Sequence, residues 1–209
     1  AFMDKYDPRF TAAYFDYSGR YSYANQPGIC QWNLQALQKP LALVMPQAEM
    51  ETALGHFRDR YSAAYQQRML KKLGFEQLNQ ALTKSLLSQT LKLFDGVEVG
   101  YHDFFLVLTQ QFSPEWRTDP NQIFGATLQA SDAAAAELLE QWRQIYHRCL
   151  NELPQEAMPE VARCLQQTNP ETVLLRPEIE AVWEPITVED NWQPFYDLVQ
   201  RVQNPFIQA

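Results

Sequence analysis

Polar and aromatic side chains crowd one short stretch near the start of the chain, "GRYSYANQP", Gly19 to Pro27. Arg20, Tyr21, Tyr23, Asn25 and Gln26 lie within seven residues, and Pro27 fixes the exit of the chain. Such a density of donors and acceptors predicts a hydrogen-bond network that orders an otherwise flexible segment. The network serves either structure alone or a loop that presents a surface to a ligand or partner.

Other chemistry-bearing residues give weaker signals. Asp4 and Asp7 could bind a cation, but a solvated turn is the better interpretation. His102 and Asp103 are adjacent, and adjacent residues on a helix do not face each other, which favours capping or surface exposure. Cys30 could be a reactive thiol, although a small buried hydrophobe is the stronger expectation.

Motifs for catalysis and cofactor binding are missing from the sequence. It contains no glycine-rich phosphate loop and no serine or cysteine nucleophile motif. Its three histidines and three cysteines are too scattered for metal-ligand spacing. We therefore predict no catalytic residue, no metal ligand and no cofactor-binding residue in this chain.

The composition limits the classes of partner. The 209 residues carry a formal net charge of -8, which argues against phosphate-driven binding of nucleic acid and against an anionic membrane surface. No apolar run reaches membrane-spanning length, and the first residues lack a signal-peptide pattern. Three widely spaced cysteines are typical of reduced thiols, so we expect a cytoplasmic location.

The elements that would position the polar stretch are helical. Residues 1–30 have no stable period and predict an irregular arm, and residues 31–209 predict one helical domain. Apolar spacing predicts one long helix over residues 47–74, closed at Gly74, and another from about Glu76 to Phe94. The sequence thus predicts an all-α protein of about seven or eight helices, with Pro40 as a kink or break. The remaining predicted helices cover residues 101–112, about 131–150 with Ser131 as N-cap and Asp132 in its first turn, 154–167, 170–183 and 191–202.

A family resemblance emerges from several of these segments. "FMDKYDP", "GRYSYANQP" and "WNL" in the first 34 residues resemble ordered motifs of the selenoprotein O family. "RMLKKLGF", Trp142 with Tyr146, "NPETVLLR" and "NPF" resemble later segments of the same family, so the likeness covers nearly the whole chain.

The resemblance implies a protein-kinase-like fold that transfers AMP from ATP to Ser, Thr or Tyr hydroxyls of client proteins, with Mg or Mn. It implies that this chain is the C-terminal half, with the catalytic Asp, the metal ligands and the nucleotide-binding residues upstream of Ala1. The arm then corresponds to the activation segment, which is anchored by Arg20, Tyr21, Asn25, Gln26 and Trp32.

The same resemblance implies the partners and limits of the chain. The expected partners are the missing N-terminal lobe and client proteins, and the isolated chain is expected to be inactive and prone to artificial dimerisation. The family's redox pair is expected to be lost, because Ala12 stands where many members have a Cys and the chain stops at Ala209. The alternative is a non-catalytic helical module for protein interaction.

Overall fold

The computed structural model describes residues 3–12, 14–97, 99–125, 127, 128, 130 and 132–206. These residues form helices and connecting loops without a β-sheet, so the predicted all-α class is confirmed. Short 3-10 turns cover Tyr23–Asn25, Pro114–Arg117, Pro120–Gln122 and Gln155–Ala157. The α-helices in chain order are α1 Gln26–Leu41, α2 Gln47–Gly55, α3 Phe57–Lys72, α4 Gln80–Gly96, α5 Tyr101–Gln111, α6 Ala133–Glu152, α7 Met158–Thr168, α8 Arg176–Glu189 and α9 Gln193–Gln203.

The chain divides into two compact units. One comprises Ala1–Tyr6 with Arg68–Ala209, and the other comprises Asp7–Gln67. The predicted division into an arm of residues 1–30 and a helical domain of residues 31–209 stays a prediction.

The larger unit is built around aromatic side chains of α4, α5 and α6. Trp142 and Tyr146, one turn apart on α6, are fully buried, and their rings stack with centroids 4.7 Å apart. Each also has a polar partner: Trp142 Nε1 donates to Thr90 Oγ1 at 2.9 Å, and Tyr146 Oη donates to the Leu73 carbonyl at 3.1 Å. Because buried aromatic rings with satisfied polar atoms contribute much apolar area, this layer forms the core of the unit.

Capping residues start two of these helices. Asn79 accepts a hydrogen bond from the Leu82 amide at the start of α4, and Asp132 accepts one from the Ala135 amide at the start of α6. Asp132 is therefore the N-cap rather than a first-turn residue. The predicted N-cap Ser131 lies outside the described residues.

The predicted helix over residues 47–74 is wrong as one element. It ends at Gly55 and resumes at Phe57, because glycine is a poor helix former and the chain turns at His56. The predicted end is confirmed, since Gly74 adopts φ +89° and the Phe75 amide returns to the Leu70 carbonyl.

Two predicted helix starts also differ. α1 begins at Gln26 with Pro27 in its first turn, five residues before residue 31, where the helical domain was predicted to begin, since proline is tolerated in the first turn of a helix. Residues 170–175 are not helical, and α8 begins only at Arg176 with Pro177 in its first turn. Pro40 lies in the last turn of α1, which ends one residue later at Leu41.

Among the helices of the larger unit, α8 and α9 bury the fewest described side chains. α8 buries only Val182 among its described side chains, and α9 buries only Leu198. Trp183, Val188 and Tyr196 are exposed on them. Within the described parts of the chain, no helix is long and apolar enough to cross a membrane.

Candidate functional site

The polar stretch belongs to a closed loop of residues 7–25, which we call the Asp16 loop. Its two ends are joined by backbone hydrogen bonds from the Tyr23 amide to the Phe10 carbonyl (2.8 Å) and from the Ala24 amide to the Pro8 carbonyl (2.9 Å). Gly19 adopts φ +69°, a conformation that favours glycine, and allows the chain to reverse there. The loop is therefore ordered by its own backbone.

The Asp16 carboxylate lies at the centre of the loop. It accepts hydrogen bonds from the backbone amides of Arg20 (2.8 Å) and Tyr21 (2.7 Å), and from the hydroxyls of Thr11 (3.3 Å) and Ser18 (3.4 Å). Burial alone would raise the pKa of Asp16, but these donors hold that pKa below its ordinary value. The carboxylate is thus a structural acceptor in its ionised form.

Arg20 connects the loop to α1 through aromatic faces. Its guanidinium carbon lies 4.6 Å from the centroid of the Trp32 ring and 5.7 Å from that of Tyr21. Asn25 Nδ2 donates to the Arg20 carbonyl at 2.7 Å, and the Gln26 backbone amide donates to the Tyr23 carbonyl as α1 begins. Of the predicted anchor residues, Tyr21, Asn25 and Trp32 thus contact Arg20, whereas Gln26 is joined to the loop through its backbone amide.

The loop presents aromatic side chains to solvent. Tyr14, Phe15 and Tyr17 are all more than four-fifths exposed. The network around Asp16 therefore holds a segment whose tip is apolar and accessible, which suits a contact surface better than a catalytic group.

Cys30, which follows the loop on α1, is exposed, so the expectation of a buried side chain is wrong. It lies in the first turns of α1, where its side chain faces outward. Cys149 and Cys164 are buried, as expected for small apolar side chains, and burial raises the pKa of both thiols.

The first family motif is built into the larger unit. The Tyr101 amide donates to the Asp4 carbonyl at 2.9 Å, and Lys5 forms an isolated antiparallel bridge with Gly100. The Tyr6 ring packs on Tyr101, 6.0 Å between centroids. These contacts join the start of the chain to α5, and the proposed alternative of a cation site at Asp4 and Asp7 gains no support from them.

Asn169 joins two further family motifs in the larger unit. Its fully buried side chain donates to the Lys72 carbonyl (2.9 Å) and to Thr109 Oγ1 (3.0 Å), and it accepts from Lys72 Nζ (3.2 Å). Lys72 Nζ also lies 4.3 Å from the centroid of the Phe105 ring, and burial lowers the pKa of Lys72 to about 8. "RMLKKLGF" and "NPETVLLR" thus meet at a structural hydrogen-bond node.

His102 and Asp103 differ from the predicted pair of surface residues. Asp103 is exposed in the first turn of α5, but His102 is half-buried, and its Nε2 has no hydrogen-bond partner among the described residues. Burial lowers the pKa of His102, while the Glu171 carbonyl and Asp103 act in the opposite direction. His102 lines a small polar cavity with Glu171, Glu178 and other side chains of its own unit.

Metal ligands do not assemble in the described parts of the chain. No three His, Cys, Asp or Glu side chains there come close enough to hold an ion. The structure instead brings four hydrogen-bond donors to the Asp16 carboxylate, a central acceptor that the sequence did not predict. The signal was Asp16 three residues before Gly19, a spacing that favours side-chain bonding to the amides of a turn.

These features define an all-α helical lobe that carries a hydrogen-bonded N-terminal loop. Residues 1–203 match the family described as protein adenylyltransferase SelO, and the chain belongs to that family. The expected resemblance is thereby confirmed.

Curated relatives agree with this assignment. The chain is 49% identical over 202 residues to "Protein nucleotidyltransferase YdiU" of Trichodesmium erythraeum, an alignment covering 97% of this chain and 41% of that protein. It is 47% identical to the protein of the same name in Trichormus variabilis and 46% identical to that in Gloeobacter violaceus, covering 98% and 99% of this chain and 42% of each relative. The chain therefore spans about two-fifths of the length of these relatives.

Proposed function

We propose that this chain is the C-terminal portion of a protein adenylyltransferase that transfers AMP from ATP to Ser, Thr or Tyr hydroxyls of other proteins. The observation that carries the proposal is the family match over residues 1–203. The relatives are named as protein nucleotidyltransferases, which supports the transfer of a nucleotide to protein.

In the proposed reaction, a client hydroxyl oxygen forms a bond to the α-phosphorus of ATP. The bond from that phosphorus to the bridging oxygen breaks, pyrophosphate leaves, and the hydroxyl proton passes to a base. The described residues offer no donor set for Mg or Mn. We therefore assign the metal, the ATP phosphates and the base to residues of the longer protein outside this chain, and derive no step through them here.

This chain would supply the scaffold and the ordered Asp16 loop. The cation–π contacts of the Arg20 guanidinium with the Trp32 and Tyr21 rings support a role in holding the loop against α1. The N-terminal lobe of the longer protein and the client proteins are the proposed partners, in the cytoplasm, and the isolated chain would lack transfer activity.

The test measures AMP transfer and ATP binding separately in the longer protein. Arg20→Ala should lower transfer about 10-fold, because removal of the two ring contacts loosens the loop, with ATP affinity unchanged. Arg20→Lys keeps the charge but not the planar stacking, so its rate of AMP transfer should lie between those of the wild-type and the Arg20→Ala protein. Lys39→Ala, an exposed cation elsewhere on α1, is the matched control and should leave transfer unchanged.

Three outcomes would count against the proposal. Absence of AMP transfer in the longer protein would favour a non-catalytic interaction module. Transfer by the isolated 209 residues would refute the assignment of the chemistry to the rest of the protein. An Arg20→Ala protein that loses ATP binding while the loop stays protected from proteolysis would refute the anchoring role.

A further inference from the structure

An apolar groove lies within the smaller unit, between α1, α2 and α3. Its volume is about 500 Å³, within the range of ligand and peptide sites. The lining is aliphatic and aromatic apart from Gln38 and Arg60, and consists of Leu34, Leu37, Gln38, Leu41, Met50, Ala53, Leu54, Phe57, Arg60 and Tyr61. It is therefore a preformed hydrophobic surface with few polar groups.

The groove has a fixed wall and open edges. Gln38 Nε2 donates to the Met50 carbonyl at 3.0 Å and so joins α1 to α2 beneath the groove. At its rim Leu34 is 40% exposed, Leu37 50% and Tyr61 43%. Exposure of these apolar side chains to water is unfavourable. An occupant that covered them would be stabilised by about 25 cal/mol for each Å² of apolar surface removed from water.

The shape favours a helix over a small ligand. Small ligands bury roughly 70–90% of their surface in a site, and the open rim would leave one side wet. Leu34, Leu37 and Leu41 instead form a ridge about 10 Å long on α1, which equals the rise between helical residues i and i+7. Amphipathic helices that bind in grooves use anchors at i, i+3 or i+4, and i+7.

Charge sets the chemistry of that helix. Arg60 is the only ionisable cation that lines the groove, and its guanidinium has no carboxylate partner among the described residues. An occupant with an acidic residue beside its apolar stripe would pair with the exposed Arg60, and this charge complementarity would give specificity. A basic helix would meet an unpaired like charge there.

The groove also adjoins the Asp16 loop within the same unit. Tyr61 lies on the groove wall. Burial raises the pKa of Tyr61, and the electrostatic interaction with Tyr23 of the loop raises that pKa further. Arg58 Nε, one turn earlier on α3, donates to Gln31 Oε1 of α1 at 3.0 Å. A protein held in the groove would thus lie beside the loop that presents Tyr14, Phe15 and Tyr17.

We propose that the groove between α1, α2 and α3 binds an acidic amphipathic helix of another protein, whose apolar stripe contacts Leu34, Leu37 and Leu41 and whose carboxylate pairs with Arg60. The identification of that protein as a client rests on the proposed function, whereas the binding itself does not require AMP transfer. Docking outside the reacting centre would then contribute to the choice of client.

The experiment uses the longer protein and a fluorescein-labelled synthetic helix of about 14 residues, roughly four turns. The peptide carries Leu at i, i+3 and i+7 and one Glu beside the stripe; a second peptide carries Lys instead of that Glu. Fluorescence anisotropy gives the two affinities. We expect the Glu peptide to bind more tightly than the Lys peptide by about 3- to 10-fold.

Two substitutions assign the binding to the groove. Arg60→Glu should reverse the preference between the peptides, and Leu37→Glu should weaken both at least about 10-fold, because it places a charge in the apolar wall. Lys39→Glu makes the same two-unit charge change as Arg60→Glu, at a residue outside the groove, and should leave both affinities unchanged. Circular dichroism and loop proteolysis of each variant confirm that the unit stays folded.

The remaining outcomes overturn the inference. No binding of either peptide would refute the proposed docking, and binding that Leu37→Glu or Arg60→Glu does not change would place the peptide elsewhere. Binding of dodecanoate without binding of the peptides would identify a small amphiphile as the occupant, and a concentration-dependent dimer sensitive to Leu37→Glu would identify a second copy. Peptide binding without AMP transfer would refute only the proposed function, and transfer without peptide binding would refute only this inference.

Discussion

Replacing Asn169 by alanine should destabilise the larger unit by about 3.5–5 kcal/mol. The substitution removes two neutral hydrogen bonds, to the Lys72 carbonyl and Thr109 Oγ1, worth about 1 kcal/mol each. It also removes the acceptor of Lys72 Nζ, and a bond to a charged donor is worth about 1.5–3 kcal/mol. Because Asn169 is only 1% exposed, water cannot readily replace the lost side chain.

Urea unfolding followed by tryptophan fluorescence, to which Trp142, buried in the same unit, contributes, measures this change. With a slope of about 2 kcal/mol per molar urea, the midpoint should fall by roughly 2 M at an unchanged slope. Asn204→Ala is the matched control, because that exposed side chain makes one long bond of 3.4 Å, and it should cost less than about 0.5 kcal/mol. Asn169→Asp keeps the acceptor for Lys72 but loses both donors and should give an intermediate loss. A loss below about 1 kcal/mol for Asn169→Ala would refute the additive argument and show that solvent satisfies the node.

Three further predictions use single side chains. Burial lowers the pKa of Lys72 from 10.5 to about 8, so the unfolded chain holds that proton more tightly than the folded protein. The free energy of unfolding should therefore rise between pH 8 and 10.5 by up to about 3 kcal/mol. Lys72→Met should abolish this rise in urea unfolding, and equal pH dependence of the two proteins would contradict the prediction. Gly74→Ala should destabilise the protein by at least about 1 kcal/mol, because φ is +89° and a Cβ would lie 2.9 Å from Val161 Cγ1. Gly55→Ala is the control: its Cβ would meet nothing within 4 Å, so the substitution should be neutral or stabilising. Equal effects of the two substitutions in thermal unfolding would be inconsistent with this prediction. Exposed Cys30 should react with iodoacetamide in the native protein at pH 8. Cys149, whose pKa burial raises to about 12, should react only after unfolding. Peptide mass mapping identifies the labelled cysteine, and rapid labelling of Cys149 would show that the core opens.

Helical periodicity was enough to predict the class of the fold and most of its elements. Helical spacing predicts Leu138, Trp142, Ile145, Tyr146 and Cys149 on the inward face of α6. The structure buries Trp142, Tyr146 and Cys149, whereas Leu138 and Ile145 are half-buried and Leu139 is buried instead. Gly74 was likewise recognisable as a helix end. These features depend on near neighbours in the sequence, and near neighbours are what a pattern records.

Boundaries and burial that depend on distant contacts were harder to predict. The apolar stripe through residues 54–69 continues across Gly55 and His56, so periodicity alone did not show the break between α2 and α3. Cys30 was expected inside because of its residue type, but its position on α1 decides its exposure. Burial of one side chain depends on which helix faces which, and sequence spacing does not carry that information.

The candidate site divides in the same way. The density of polar groups between Arg20 and Gln26 indicated a network, and the described structure contains one. The central role of Asp16 was missed, because its partners are mainly backbone amides, which every residue has and which leave no trace in composition.

The sparse burial of α8 and α9 has a consequence for the dynamics of the protein. Each helix contributes one buried side chain, so few contacts must break for either to open, whereas the Trp142 layer opens only when its whole unit unfolds. Amide hydrogen exchange should therefore show two regimes: α8 and α9 exchanging by local opening, insensitive to Asn169→Ala, and α6 exchanging by unfolding of its unit, accelerated by that substitution. The C-terminal helices would then behave as a separate cooperative segment, free to fold more tightly when a partner covers Trp183 and Tyr196.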